Sequence, residues 1–278
     1  MGGAEQGRAD IDRLFLIGLA RAFAGAMLFA LPLLMTMEMW QLGFYMDRWR
    51  LVLLLVVQLP LLVGLSHMSG FEPTFDLRED AVDACAALAV GFVSSAALLA
   101  VMGVVTRGMS ADEMIGKVAL HSVPASIGAL LAQSQLGGEE HEEEKEERGS
   151  SYWGELFLMM VGALFFAFNL APTEEMILIA YKMSDWQVLL LAAISLAAIH
   201  GFVYAVGFAG QEQIHVGGPV SAFFRLSVVG YAIALVVSAY VLWTFGRFDG
   251  NALEPAVVAT FVLAFPASLG AAAARLVL

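Results

Sequence analysis

The sequence predicts an all-α, polytopic membrane protein of about eight transmembrane helices. It further predicts two parallel four-helix repeats related by a pseudo-twofold axis along the membrane normal. Three observations lead there. Hydrophobic residues make up 60% of the 278 and charged residues only 14%, whereas soluble domains carry about a quarter charged. Eight apolar stretches are each long enough to cross a bilayer. The chain also matches itself across an acidic segment at its middle.

The elements follow in order. Met1 to Arg13 is a short polar segment of mixed charge. The apolar run behind it is too long for a signal core, so no cleavable leader is expected. A bilayer core about 30 Å thick takes roughly 20 apolar residues. Stretches 14–40, 51–69, 83–105 and 114–136 meet that length and form the first repeat, 14–136, although Lys117 and His121 dilute the last of them. Gly137 to Gly149 then sets seven Glu against Lys145 and Arg148. Such a block repels itself and buries no core, so 137–150 reads as a solvated linker. The second repeat, 151–278, holds stretches 155–182, 186–209, 221–245 and 254–277. Turn residues separate the stretches, among them Asp47-Arg48, Ser69-Gly70, Arg107-Gly108, Ser184-Asp185, Gly217-Gly218-Pro219 and Asp249-Gly250-Asn251. Lipid cannot satisfy backbone polar groups, so each stretch is expected to be helical.

The repeat is visible residue by residue. At an offset of 137, Gly25, Thr36, Glu38, Trp49 and Gly70-Phe71 meet Gly162, Thr173, Glu175, Trp186 and Gly207-Phe208. At an offset of 142, Pro124-Ala125-Ser126-Ile127-Gly128-Ala129 meets Pro266-Ala267-Ser268-Leu269-Gly270-Ala271. Matches in Trp, Pro, Glu and Thr do not arise from shared apolarity. Four spans per unit start both units, and place both termini, on one face of the membrane, which makes the repeats parallel.

Charge excludes some functions. The formal net charge is −12, which leaves no electrostatic basis for nucleic-acid binding. Cys85 is the single cysteine, so no internal disulfide framework exists. The acidic excess falls almost entirely on the face that would bear both termini, where it would gather cations. Lys and Arg divide evenly between the faces, so they do not orient the chain. Signatures such as His-Glu-x-x-His, Gly-x-Ser-x-Gly or a phosphate loop are absent, and no enzyme activity is expected.

Candidate site residues cluster in the fifth stretch, at Asn169, Pro172, Thr173, Glu174 and Glu175. Proline cannot donate its backbone hydrogen bond, so carbonyls near Phe168 and Asn169 are expected to be freed. Carbonyls, an amide, a hydroxyl and carboxylates are hard oxygen ligands suited to H⁺, Na⁺, K⁺, Mg²⁺ or Ca²⁺. The first stretch repeats the theme with Pro32, Thr36 and Glu38. Both stretches outlast one crossing, and a helix broken near Pro32 and Pro172 would absorb the excess. Glu174 and Glu175 lie about 100° apart on a helix and are not expected to share a face. Glu175 aligns with Glu38, and near a central axis two such carboxylates would share a proton or hold a cation. The opposing expectation is that they lie at helix ends, in water. His121 and His200 are secondary polar candidates, equally explained as helix-packing donors. Arg21 and Arg225 could pair with the glutamates or snorkel.

The run FNLAPTEEMILIA, Phe168 to Ala180, resembles the hallmark of a bacterial family of integral membrane proteins of unknown function. The resemblance covers mainly residues 155–210 and implies an inner-membrane location without naming a ligand. A duplicated helix with proline before glutamate is also similar in kind to the signature repeats of cation/calcium exchangers. Their pattern would carry onto Pro172 with Glu174 or Glu175. Their repeats, however, are inverted and five-spanned, and no proline directly precedes Glu38.

The expected function is cation handling in transport, by a channel or a secondary transporter that could couple to protons. Glu38, Glu175, Glu174, Asn169, Thr36 and Thr173 would bind the ion. The alternative is a membrane sensor or assembly scaffold whose contact surface is the acidic linker. The expected partners are the lipid bilayer and a small inorganic cation, with no organic cofactor and no nucleic acid. The sequence leaves room for assembly with further copies of itself.

Overall fold

A computed structural model describes residues 2–69, 77–136, 152–205, 220–221 and 223–277. The acidic linker 137–150 lies outside the described residues, as do Gly217-Gly218-Pro219 and Glu212. Ten α-helices and no strand occur among the described residues. Eight helices are long and apolar enough to cross a membrane. The chain divides into two compact units, Met1–Gly138 and Glu139–Leu278.

In the first unit, α1 (Gly2–Leu34) is followed by a nine-residue α2 (Met37–Tyr45). Then come α3 (Arg48–Ser69), α4 (Leu77–Val101) and α5 (Ala111–Leu136). Helix α5 is the hub and packs against all four others. Every residue from Gly116 to Ala132 is buried, so Lys117 and His121 do not weaken this helix but lie inside it. The outer helices turn residues such as Leu28, Val56 and Val93 outward, as a lipid-facing surface requires.

The second unit, taken by itself, has the same order: α6 (Tyr152–Leu170), a nine-residue α7 (Glu174–Lys182), α8 (Asp185–Ala205), α9 (Val229–Thr244) and α10 (Leu253–Val277). A π-helical turn, Phe223–Val228, leads into α9. Here α10 is the hub, packed on α6, α7, α8 and α9.

In each unit the hub crosses the first helix at a glycine pair. A Cβ built on Gly25 would overlap the carbonyl oxygen of Gly128, and one on Gly162 would overlap that of Gly270. Small residues at such a crossing let backbones touch, which is how apolar helices gain packing where lipid offers no hydrophobic drive. These are the glycines that the sequence matches placed in register.

As their excess length predicts, the stretches 14–40 and 155–182 are each a membrane-length helix and a separate short one. Their candidate spans are Leu16–Leu34 and Tyr152–Leu170, each of 19 residues, or about 28 Å at 1.5 Å per residue. One boundary differs from expectation, because Pro32 does not mark the first break. It sits inside α1, which runs on to Leu34, because a helix can tolerate proline where neighbouring groups re-satisfy the backbone. Thr36 serves a different group, donating its hydroxyl at 2.7 Å to the Pro32 carbonyl, which the end of α1 leaves without a backbone donor. The prolines of the matched motif, Pro124 and Pro266, also lie within continuous helices rather than at hinges.

Candidate functional site

The first helix break lies at Met35–Thr36, between α1 and α2. Where a helix stops, its last carbonyls lose their intrahelical donors and need others. The Leu34 carbonyl takes the indole N–H of Trp40 at 2.8 Å, and the Leu33 carbonyl takes the Thr36 backbone N–H at 3.1 Å. Thr36 occupies the N-cap position of α2, yet its hydroxyl bonds backwards into α1 rather than forwards. Glu38 stands in the first turn of α2, half-buried. A carboxylate suits that position because the helix dipole there is positive.

The second break, Ala171 to Thr173, does fall at its proline. Ala171 and Pro172 are buried and form the turn between α6 and α7. Thr173 mirrors Thr36, donating its hydroxyl to the Leu170 carbonyl at 2.8 Å. Asn169 donates its amide to the Phe165 carbonyl at 2.7 Å, within its own helix, while its side-chain oxygen is buried with no partner among the described residues. The carbonyls freed at the break are those of Ala171 and Pro172, slightly beyond the expected Phe168 and Asn169. Both are taken by one guanidinium: Arg247 donates Nε to Ala171 O at 3.2 Å and Nη2 to Pro172 O. The same group pairs with Glu174 through Nη1, at 2.9 Å. Its side chain is 12% exposed, whereas that of Glu174 is 69% exposed.

The loop carrying Arg247 is itself held. Gly246, at φ 73°, turns the chain out of α9, and Phe245 sits edge-on to Phe168 with ring centres 4.9 Å apart. Asn251 donates to the Arg247 carbonyl at 2.9 Å and accepts the Tyr181 hydroxyl at 2.8 Å. The loop thus grips α7 at both ends.

Glu174 and Glu175 both border one shallow, open depression on the surface of α7, lined also by Ile177, Leu178 and Tyr181. They are successive residues of α7 and lie about 100° apart around its axis. All three glutamates stand past the ends of the candidate spans, four residues beyond Leu34 for Glu38 and four and five beyond Leu170 for the others. Glu38 and Glu175 belong to different units.

The histidines have other neighbours. His121, fully buried, donates Nδ1–H to the Lys117 carbonyl at 2.8 Å, and its Nε2 has no partner among the described residues. Lys117 pairs with Glu113 at 2.7 Å. His200 meets the Ser227 hydroxyl at 3.1 Å. Arg225 lies over the ring of Tyr152 at 5.6 Å. Among the described residues no three His, Cys, Asp or Glu side chains are grouped so as to hold a metal ion.

Sequence patterns passed over Arg247 and Trp40, the two residues that close the breaks. Arg247 read as one loop charge among several. The available signal was its place directly after a glycine at a helix end, where the next side chain turns back toward the bundle.

No curated protein and no solved structure matches the chain. A family model does, over residues 18–278, and its description is "Putative integral membrane protein (DUF2391)". With nearly the whole chain matched, and with eight membrane-length helices, the protein belongs to this integral membrane family.

Proposed function

We propose that the protein handles cations in transport across the membrane, with Glu38, Glu174 and Glu175 at its cation-binding positions. One observation carries the proposal. Two backbone carbonyls at the second helix break, together with Glu174, already close around a cationic group, the guanidinium of Arg247. Such an oxygen set favours positive charge, and a broken helix beside a membrane span is a common way to present it.

Beside this set, Glu175 is exposed in the same depression and carries a charge that Arg247 does not neutralise in the described contacts. The first break shares part of this arrangement, a threonine at the break and Glu38 in the first turn of the following short helix, and we take it as a second, related position. The carboxylates stand at the ends of the spans, where they would collect ions at a mouth rather than bind them in mid-membrane. Whether the ions then pass by a channel or by a transport cycle, and whether protons are exchanged for them, follows from the flux itself.

Proteoliposomes loaded and assayed in turn for Na⁺, K⁺, Mg²⁺, Ca²⁺ and H⁺ movement provide the test. Glu175→Gln and Glu38→Gln are expected to lower flux of the transported ion at least about tenfold, the loss of one charge-assisted contact. Wild-type flux of every ion in both variants would remove these residues from the site.

A further inference from the structure

We propose that Arg247 is a tethered competitor: it occupies the cation site at the second helix break, and the transported ion must displace it. This rests on the cation-transport proposal and adds how the site is kept closed. The guanidinium makes all the contacts a bare cation would make there, to Ala171 O, Pro172 O and Glu174. A metal ion and the guanidinium therefore cannot hold these oxygens together.

Exposure sets the order of events. Glu174 is 69% exposed and borders the same open surface of α7 as Glu175, whereas the Arg247 side chain is 12% exposed. An incoming ion meets the two carboxylates first and weakens the Arg247–Glu174 pair before it reaches the carbonyls. Once displaced, the guanidinium stays near. The Arg247 backbone is fixed by its N–H to Leu242 O at 2.9 Å and by Asn251 at its carbonyl, also 2.9 Å. Only the side chain has to swing, and it returns when the ion leaves. The resting site carries its own positive charge, so the buried carbonyls of the break are satisfied when no ion is bound.

A plain capping role for Arg247 predicts the same loss of stability on its removal but no rescue by any cation, which makes the two separable. The full-length protein is purified in detergent, and its thermal midpoint is followed in NaCl, KCl, MgCl₂ or CaCl₂ against choline chloride at equal ionic strength. Wild type is expected to depend little on the cation. Arg247→Gln is expected to melt lower in choline and to be restored by at least one of the four cations, because ligand binding stabilises the folded state. In proteoliposomes the same variant should half-saturate at a concentration of that cation at least about tenfold lower. Arg247→Lys keeps the charge with fewer hydrogen bonds and should show the same rescue in smaller measure. Glu174→Gln combined with Arg247→Gln should abolish it.

If no cation restores Arg247→Gln or Arg247→Lys, Arg247 is a helix cap and the inference falls. It falls equally if rescue survives in the double variant. If wild type moves none of the four cations and no protons, the transport proposal fails separately, and a cation rescue that depends on Glu174 still upholds competition at this site.

Discussion

Gly25 and Gly128 cross with no room for a side chain on either, each Cα facing the other's carbonyl oxygen. Gly25→Val or Gly128→Val would force α1 from α5, the hub on which the first unit is assembled. A destabilisation of about 3 kcal/mol is expected for either, since overpacking here meets backbone and cannot be relieved by a rotamer change. Gly201→Ala makes the contrast. Among the described residues nothing lies within 4 Å of its built Cβ, so a gain of up to about 1 kcal/mol from helix propensity is expected. Thermal unfolding in detergent checks both, and equal midpoints for Gly128→Val and wild type would deny the crossing its structural role.

Trp40 closes the first break by donating to the Leu34 carbonyl at 2.8 Å. Trp40→Phe keeps the ring and removes the donor, which should cost about 1 kcal/mol. Because the lost bond is local, amide exchange should accelerate at Thr36, whose N–H bonds to Leu33 across the break, and at Met39, whose N–H bonds to Thr36 at the start of α2. Unchanged exchange there would mean that the indole bond does not hold the break.

The spans were legible because each depends on a run of apolar residues, a property of the local sequence. Excess length in 14–40 and 155–182 pointed to broken helices for the same reason. Where the first break falls was not legible. Pro32 looked decisive, yet the helix passes through it and stops after Leu34, where Trp40 supplies a donor from six residues away. Arg247 was hidden for a stronger version of that reason, lying 73 residues from Glu174 in the chain. Local pattern identifies groups that need partners, and only tertiary packing identifies the partners.

The acidic linker separates transport from the sensor or scaffold alternative. Replacing Glu139 to Arg148 with Gly and Ser removes its charges while preserving a tether. A transport protein whose ions bind at the helix breaks should retain its flux within about twofold, since linker charges act only through screened surface potential. Flux in proteoliposomes at near-physiological salt is the measurement. Loss of a cellular binding partner with flux intact would assign the linker a separate contact role, whereas loss of flux itself would place the linker in the ion's path.

Pro172→Ala tests what causes the second break. Alanine would let α6 continue into α7, and a helix interior favours alanine over proline by about 3 kcal/mol. Continuing the helix would turn the Ala171 and Pro172 carbonyls to intrahelical donors and strip Arg247 of its contacts. Those three bonds are to a charged group, and such bonds contribute about 1.5–3 kcal/mol each. The Tyr181–Asn251 bond at the far end of α7 opposes the same movement. The tertiary contacts therefore outweigh the local preference, and the break should persist in Pro172→Ala. The first unit supports this, since it breaks at Met35–Thr36 with no proline there. Spin labels at Phe166 and Leu178, both exposed, would report the change by distance. The wild-type separation is expected in Pro172→Ala, and a shift toward about 18 Å, the rise of twelve helical residues, in Pro172→Ala combined with Arg247→Gln. A continuous helix in Pro172→Ala alone would show that the proline, and not the guanidinium, holds the site open.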